Sequence, residues 1–114
     1  MIRAELVLDG AGLLRSCRLQ GHAGAGKQGS DIVCAAVSVL TRTIVLVLSG
    51  RKDIIIRGSI PEQGDFSIET EYTPEGREFL AGAGAFLMEG LVSVSREFPE
   101  YCKVIVERRN SYGA

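Results

Sequence analysis

The 114-residue chain predicts an α+β fold: a single domain with element order ββαββαβ. Its sheet should be mostly antiparallel or mixed, with two long helices packed on one face. Three observations carry this reading. Two short alternating runs flank a glycine turn at the start. One long apolar run without internal Gly or Pro follows, and a second helix-like stretch opens on Thr73-Pro74-Glu75. The length suffices for one core but not for two.

Ile2, Ala4, Leu6 and Leu8 alternate with Arg3, Glu5 and Val7, the period of a half-buried strand. Asp9-Gly10-Ala11-Gly12 is a turn, and Leu13 to Gln20 returns as the second strand of a hairpin. A helix is predicted from about 31 to 49, apolar on nearly every side, with Ser30 or Asp31 as N-cap and Gly50 at C′. Such a helix must be covered on more than one side.

Asp53 to Arg57 is predicted as a short buried strand, Pro61 to Gly64 as a turn, and Phe66 to Tyr72 as an alternating strand. The second helix should run from 74 to about 98, with Thr73 as cap and Pro74 at N1. Its apolar stripe is Phe79, Ala83, Phe86, Leu87, Leu91, Val94 and Phe98. Gly82, Gly84 and Gly90 each weaken it by roughly 1 kcal/mol relative to alanine, tolerable where another element approaches closely. Cys102 to Arg108 alternates as the last strand, and Asn110 to Ala114 forms a polar tail.

Net charge is −1, with 46% hydrophobic and 24% charged residues. That balance provides no basic field for nucleic acid. The charged start does not fit a secretory leader, and the longest apolar run is interrupted and short for a membrane span. A cytoplasmic protein is expected. Three cysteines without a CxxC pair argue against a disulfide framework or a zinc site. Cys17 and Cys102 sit in alternating strands, where core packing is expected. No metal and no cofactor is expected.

The chemistry concentrates between Gly21 and Ser38. A loop with Gly21, Gly24, Gly26 and Gly29 carries His22, the only histidine, and leads to Cys34 in the first turn of the predicted helix. A helix N-terminus and an imidazolium both favour thiolate over thiol, and unpaired first-turn N–H groups could hold an oxyanion. Histidine is the usual proton carrier for a cysteine nucleophile. Against this, cysteine is commonly a small buried hydrophobe. Asp31 is either a helix cap or a third member orienting His22. A competing reading exists: Gly21 to Lys27 fits G-x-x-x-x-G-K of a phosphate loop, but Gln28 stands where Ser or Thr belongs, and no Walker B strand follows.

Gly21-His22-Ala23, then Gly29, then Asp31-Ile32-Val33-Cys34-Ala35-Ala36-Val37-Ser38 resembles the signature of the ribosomal-processing cysteine protease family, called Prp. The likeness covers most of the chain and is weakest from Arg51 to Tyr72. It implies a cysteine endopeptidase that removes the N-terminal extension of a bacterial large-subunit ribosomal protein during ribosome assembly. His22 and Cys34 would form the dyad, with Asp31 and Ser38 as supporting residues and Gly21, Ala23, Gly24, Gly26 and Gly29 shaping the substrate loop. It also implies a homodimer joined through helices, and an apolar pocket near Cys34. Lys27 lies outside the family motif. The alternative from another class is a non-enzymatic ribosome-assembly module that binds a peptide.

Overall fold

The structure, a computed structural model, describes residues 1–21, 28–59 and 65–109, with the side chains of 28–31 and 59 left out. The expected turn at 61–64 and the polar tail at 110–114 lie outside the described residues. The elements are β1 (Ile2–Leu8), β2 (Leu14–Gln20), α1 (Gln28–Ser49), β3 (Ile54–Ser59), β4 (Phe66–Tyr72), α2 (Arg77–Glu97) and β5 (Cys102–Arg108). A 3-10 turn, Pro74–Gly76, leads into α2. The predicted order and class hold.

The five strands form one sheet in the order β3-β4-β2-β1-β5. All neighbours are antiparallel except β1 and β5, so the sheet is mixed. Period-two alternation gives it one apolar face: Ile2, Ala4 and Leu6 on β1, Cys17 and Leu19 on β2, and Phe66 and Ile68 on β4 are buried. Both helices cover that face, α1 packing beside β3 and α2 over β5 and β2.

The helices run antiparallel, with Leu40 of α1 lying against Gly90 of α2. A Cβ at Gly90 would sit 2.7 Å from Leu40 Cδ2, so the missing side chain is what admits the neighbouring helix. Gly82 faces open space instead.

Four boundaries and faces differ from expectation. α1 begins three residues early, so Ser30 and Asp31 are its third and fourth residues and neither is the N-cap. Thr73 makes no side-chain capping bond, because the 3-10 turn intervenes before α2. The α2 stripe is rotated: Leu80, Gly84, Leu87 and Leu91 are buried, whereas Phe79 and Phe86 are exposed. A pattern rich in phenylalanine hid that Leu80 belongs to the inner face. β3 is not fully buried either. It is an edge strand, with Ile54 inside, Ile56 half-buried and Ile55 exposed.

By length and composition alone, Ile32–Ser49 and Pro74–Glu97 could each cross a membrane, so the first run is not too short for a span. In the fold, one part of that apolar content packs on the sheet and between the helices, while Ile32, Val39, Leu46 and Phe86 remain exposed.

The hairpin turn is held by a buried acid. Asp9 Oδ1 accepts the N–H groups of Ala11 (2.9 Å) and Leu13 (3.0 Å), and Oδ2 accepts the Tyr72 hydroxyl at 2.7 Å. The β1–β2 turn is thereby tied to the end of β4. Burial opposes ionisation of Asp9, but the bonds from Tyr72, Leu13 and Ala11, with Arg15 nearby, outweigh it and hold the carboxyl below its ordinary value. A carboxyl lowered in this way adds stability above its unfolded pKa and loses it as pH falls through the folded one. Asp9→Ala should cost about 2 kcal/mol in denaturant unfolding and should flatten the acid side of a plot of Tm against pH.

Candidate active site

β2 ends at Gln20 and hands the chain to Gly21, whose φ of +89° is a left-handed conformation. A Cβ there would lie 2.5 Å from the Met1 carbonyl oxygen, so the turn into the loop requires glycine twice over. His22, Ala23, Gly24, Gly26 and Lys27 lie outside the described residues. Gly29, expected in the loop, is the second residue of α1.

Because α1 starts at Gln28, Cys34 is its seventh residue and lies in the second turn, not the first. Two consequences follow. The N–H of Cys34 is committed to a carbonyl four residues back, so it is not one of the unpaired donors expected for an oxyanion. Cys34 also lies beyond the first turn, outside which the macrodipole weakens.

The three cysteines differ sharply in surroundings. All are free thiols; Cys17 and Cys102 are buried and Cys34 is half-buried. Burial pushes the Cys17 thiol up to about 12 and raises that of Cys102. Both core assignments therefore hold, and among the cysteines only Cys34 can present sulfur to a solute.

Its direction follows from helix geometry. Val33, Val37, Thr41, Ile44 and Leu48 are buried along one line of α1. Leu40, Thr43 and Val47 lie to the side of that line facing α2, where they border a groove with Ala83, Phe86 and Leu87. At about 100° per residue, Cys34, Ser38 and Val45 lie on the opposite flank, away from α2 and toward the β3 side of the sheet. Cys34, Val45 and the β3 residue Ile56 are half-buried there against the core. Ser38 is half-buried one turn after Cys34, and its carbonyl accepts the Thr41 hydroxyl at 3.2 Å. The side chain of Asp31 is outside the described residues.

Cys34, Ser38 and Val45 thus share one flank of α1, with Ser38 one turn from Cys34 and Val45 about 16 Å further along the helix, on the side of Ile56. The sequence reading missed Val45 and Ile56. Helical spacing from Cys34 could have found the first, but only the sheet order reveals the second.

The phosphate-loop reading loses its scaffold, since β2 is antiparallel to both neighbours, unlike the parallel strand that feeds a P-loop. Among the described residues, no group of three or more His, Cys, Asp or Glu could hold a metal ion.

A family profile described as cysteine protease Prp matches residues 1–103. The chain belongs to this family. It is accordingly a cysteine protease, which displaces the alternative of a peptide-binding module without chemistry.

Solved structures share the fold of this Prp-family chain. SMU.848 from Streptococcus mutans is 29% identical, with a TM-score of 0.79 and 96% of each chain covered. The essential ribosomal processing protease Prp from S. aureus is 20% identical, over 94% of this chain and 100% of that one. Its structure with a covalently linked product peptide gives a TM-score of 0.80, and that with a substrate peptide gives 0.79. No curated protein sequence matches the chain.

The surroundings of the thiols order their reactivity. Iodoacetamide at pH 7 should label Cys34 first, with Cys17 and Cys102 protected until unfolding; mass spectrometry of digests checks this. Raised thiol values also stabilise the fold below the ordinary thiol pKa, and that stability falls as pH climbs toward the folded value. For Cys17, Tm should decline between about pH 9 and 12.

Proposed function

We propose that this protease is an endopeptidase that removes the N-terminal extension of a bacterial large-subunit ribosomal protein during ribosome assembly. Cys34 is the nucleophile and His22 the general base and acid. The observation that carries the reading is the placement of Cys34. It is the accessible cysteine, on an open flank of α1, at the foot of which the glycine-rich loop with His22 enters the helix. The family match and the description of the S. aureus protein as a ribosomal processing protease support the substrate class.

In this mechanism His22 takes the proton from Cys34 Sγ, and the thiolate attacks the scissile carbonyl carbon. As the C–N bond breaks, the imidazolium returns that proton to the leaving amine. Water, deprotonated by the same imidazole, then hydrolyses the thioester. Ser38 supports the site from one turn along the same flank. Asp31, in the first turn of α1, either favours the helix by its charge at the N-terminal end or orients His22 as a third member. Among the described residues the apolar side chains of this flank, Val45 and Ile56, lie about three turns of α1 from Cys34, where they would meet substrate residues away from the scissile bond rather than beside it. No cofactor takes part.

The protein works in the cytoplasm, without direct contact to nucleic acid or membrane, and as a homodimer. Ile32, Val39 and Leu46 are 52%, 63% and 75% exposed and recur every seven residues along the outer side of α1. Beside them, Phe86 is 71% exposed at the edge of a groove of about 190 Å³ between the helices. A stripe with this spacing suits a second copy of the same helix. It lies away from the Cys34 flank, so pairing leaves the site open.

Incubation with a synthetic N-terminal segment of the host's ribosomal protein should give a single cut by mass spectrometry. Cys34→Ala and His22→Ala should each abolish that cut while preserving the fold by circular dichroism. Normal cleavage by Cys34→Ala would sink the mechanism. In sedimentation velocity, Leu46→Glu should convert a dimer to a monomer of unchanged secondary structure; a monomeric wild type would remove the dimer assignment.

A further inference from the structure

Among the described residues, the outer edge of β3 is unpaired, and α1, whose flank carries Cys34, packs beside this strand. β3 is the terminal strand of the sheet, paired only with β4. Thr73 N–H donates to the Asp53 carbonyl at 3.0 Å, which makes that the hydrogen-bonded type of antiparallel pair. Hydrogen-bonded and non-bonded pairs alternate along an antiparallel ladder. Continuing the register, Ile55, Arg57 and Ser59 bond to Glu71, Glu69 and Ser67. The N–H and C=O groups of Ile54, Ile56 and Gly58 therefore point away from β4, into the open edge.

The helix above runs in the opposite direction. Only residues 50–53 separate α1 from β3, so the C-terminal end of α1 lies beside Ile54 and the N-terminal end beside Ser59. From Ile54 to Gly58 is about 13 Å at strand rise, which matches about nine residues of helix. Gly58 thus comes level with the Ser38 region, one turn from Cys34. Ile54 and Ile56 face the helices, and Gly58 occupies the next inward position without a side chain. Its φ of +154° and the collision a Cβ would make with the Ser67 carbonyl oxygen admit no other residue. Among the described residues, the result is a strip with unpaired main-chain donors and acceptors and an apolar wall from Val45 and Ile56, its Gly58 end directed toward the N-terminal half of α1 that carries Cys34.

We propose that the substrate's extended, apolar-containing segment adds to the edge of β3 as a sixth strand, laying its scissile bond beside Cys34. This deepens the protease reading and rests on it. Strand addition binds through main-chain hydrogen bonds and reads side chains at alternate positions. Every second residue of the added strand would face Val45 and Ile56, and these positions select apolar side chains. The other residues would face the uncovered side of the sheet, where Ile55 is half exposed and Arg57 pairs with Glu71 at 3.2 Å. A free β-edge pairs with any extended chain, which suits an enzyme that must hold an unfolded terminus rather than a folded surface.

The test is residue-resolved amide hydrogen exchange, by NMR, on Cys34→Ala with and without the ribosomal-protein peptide. Peptide should slow exchange at Ile54, Ile56 and Gly58 at least tenfold, leaving Ile55 and Arg57, already bonded to β4, unchanged. In parallel, single N-methylation along the peptide should reduce wild-type cleavage more than tenfold at alternate positions only. Binding and cleavage without protection at β3, or with protection lacking the alternation, overturn strand addition while leaving the protease intact. Protection of the same amides on raising protein concentration without peptide overturns it too, by giving the edge to a second copy. Neither binding nor cleavage of the peptide removes this proposal together with the assigned substrate.

Discussion

The sheet has a single apolar face, and everything else in this protein is arranged to cover it. Five strands place Ile2, Ala4, Leu6, Leu14, Cys17, Leu19, Ile54, Phe66, Ile68 and Cys102 on that side, while most of their alternate neighbours meet water. Burying a large side chain of this kind contributes roughly 1.5–3 kcal/mol, so leaving the face open would forfeit the fold. Among the described residues, two long helices are available. They must lie side by side, and Gly90 lets them approach closely enough for Leu40 to fill the seam. α2 takes the β5 side, so α1 is left over β3 at the opposite edge.

That division of the sheet decides where chemistry can occur. A helix pressed on one side by the sheet and on another by α2 keeps one lateral flank free, and Cys34 is on it. The other two cysteines are committed to the core, where burial holds them protonated. A half-buried thiol and two buried ones thus coexist in one small domain because of position alone. The helix end lies further from the thiol than closeness in sequence suggests, since α1 begins at Gln28 and Cys34 falls in its second turn.

The outward faces of α1 divide the labour further. The apolar stripe and the groove beside Phe86 lie toward α2 and solvent, whereas Cys34, Ser38 and Val45 lie toward β3. One helix that is apolar on most sides therefore presents a core line, an exposed apolar stripe and the Cys34 flank on three different parts of its surface. The same composition would satisfy a membrane span, and only the amphipathic sheet beneath it makes the helix part of a folded domain.

Element order, strand bounds within a residue or two, the core role of Cys17 and Cys102, and the family itself were legible in the amino-acid sequence. Alternation, glycine turns and the GHA–DIVCAAVS block are local signals that survive without context. What tertiary structure decided was direction and exposure. Phe79 and Phe86 are as apolar as Leu80, so composition could not say which faced inward; the pairing of α2 with the sheet did. Ile54-Ile55-Ile56 reads as buried, yet strand order puts it at an edge and exposes Ile55. The helix start shifted because Asp31 can cap a helix or sit inside its first turn, and the choice depends on how the preceding loop joins α1. Chemistry was written in the residues, and its placement waited for the packing of two helices on one face.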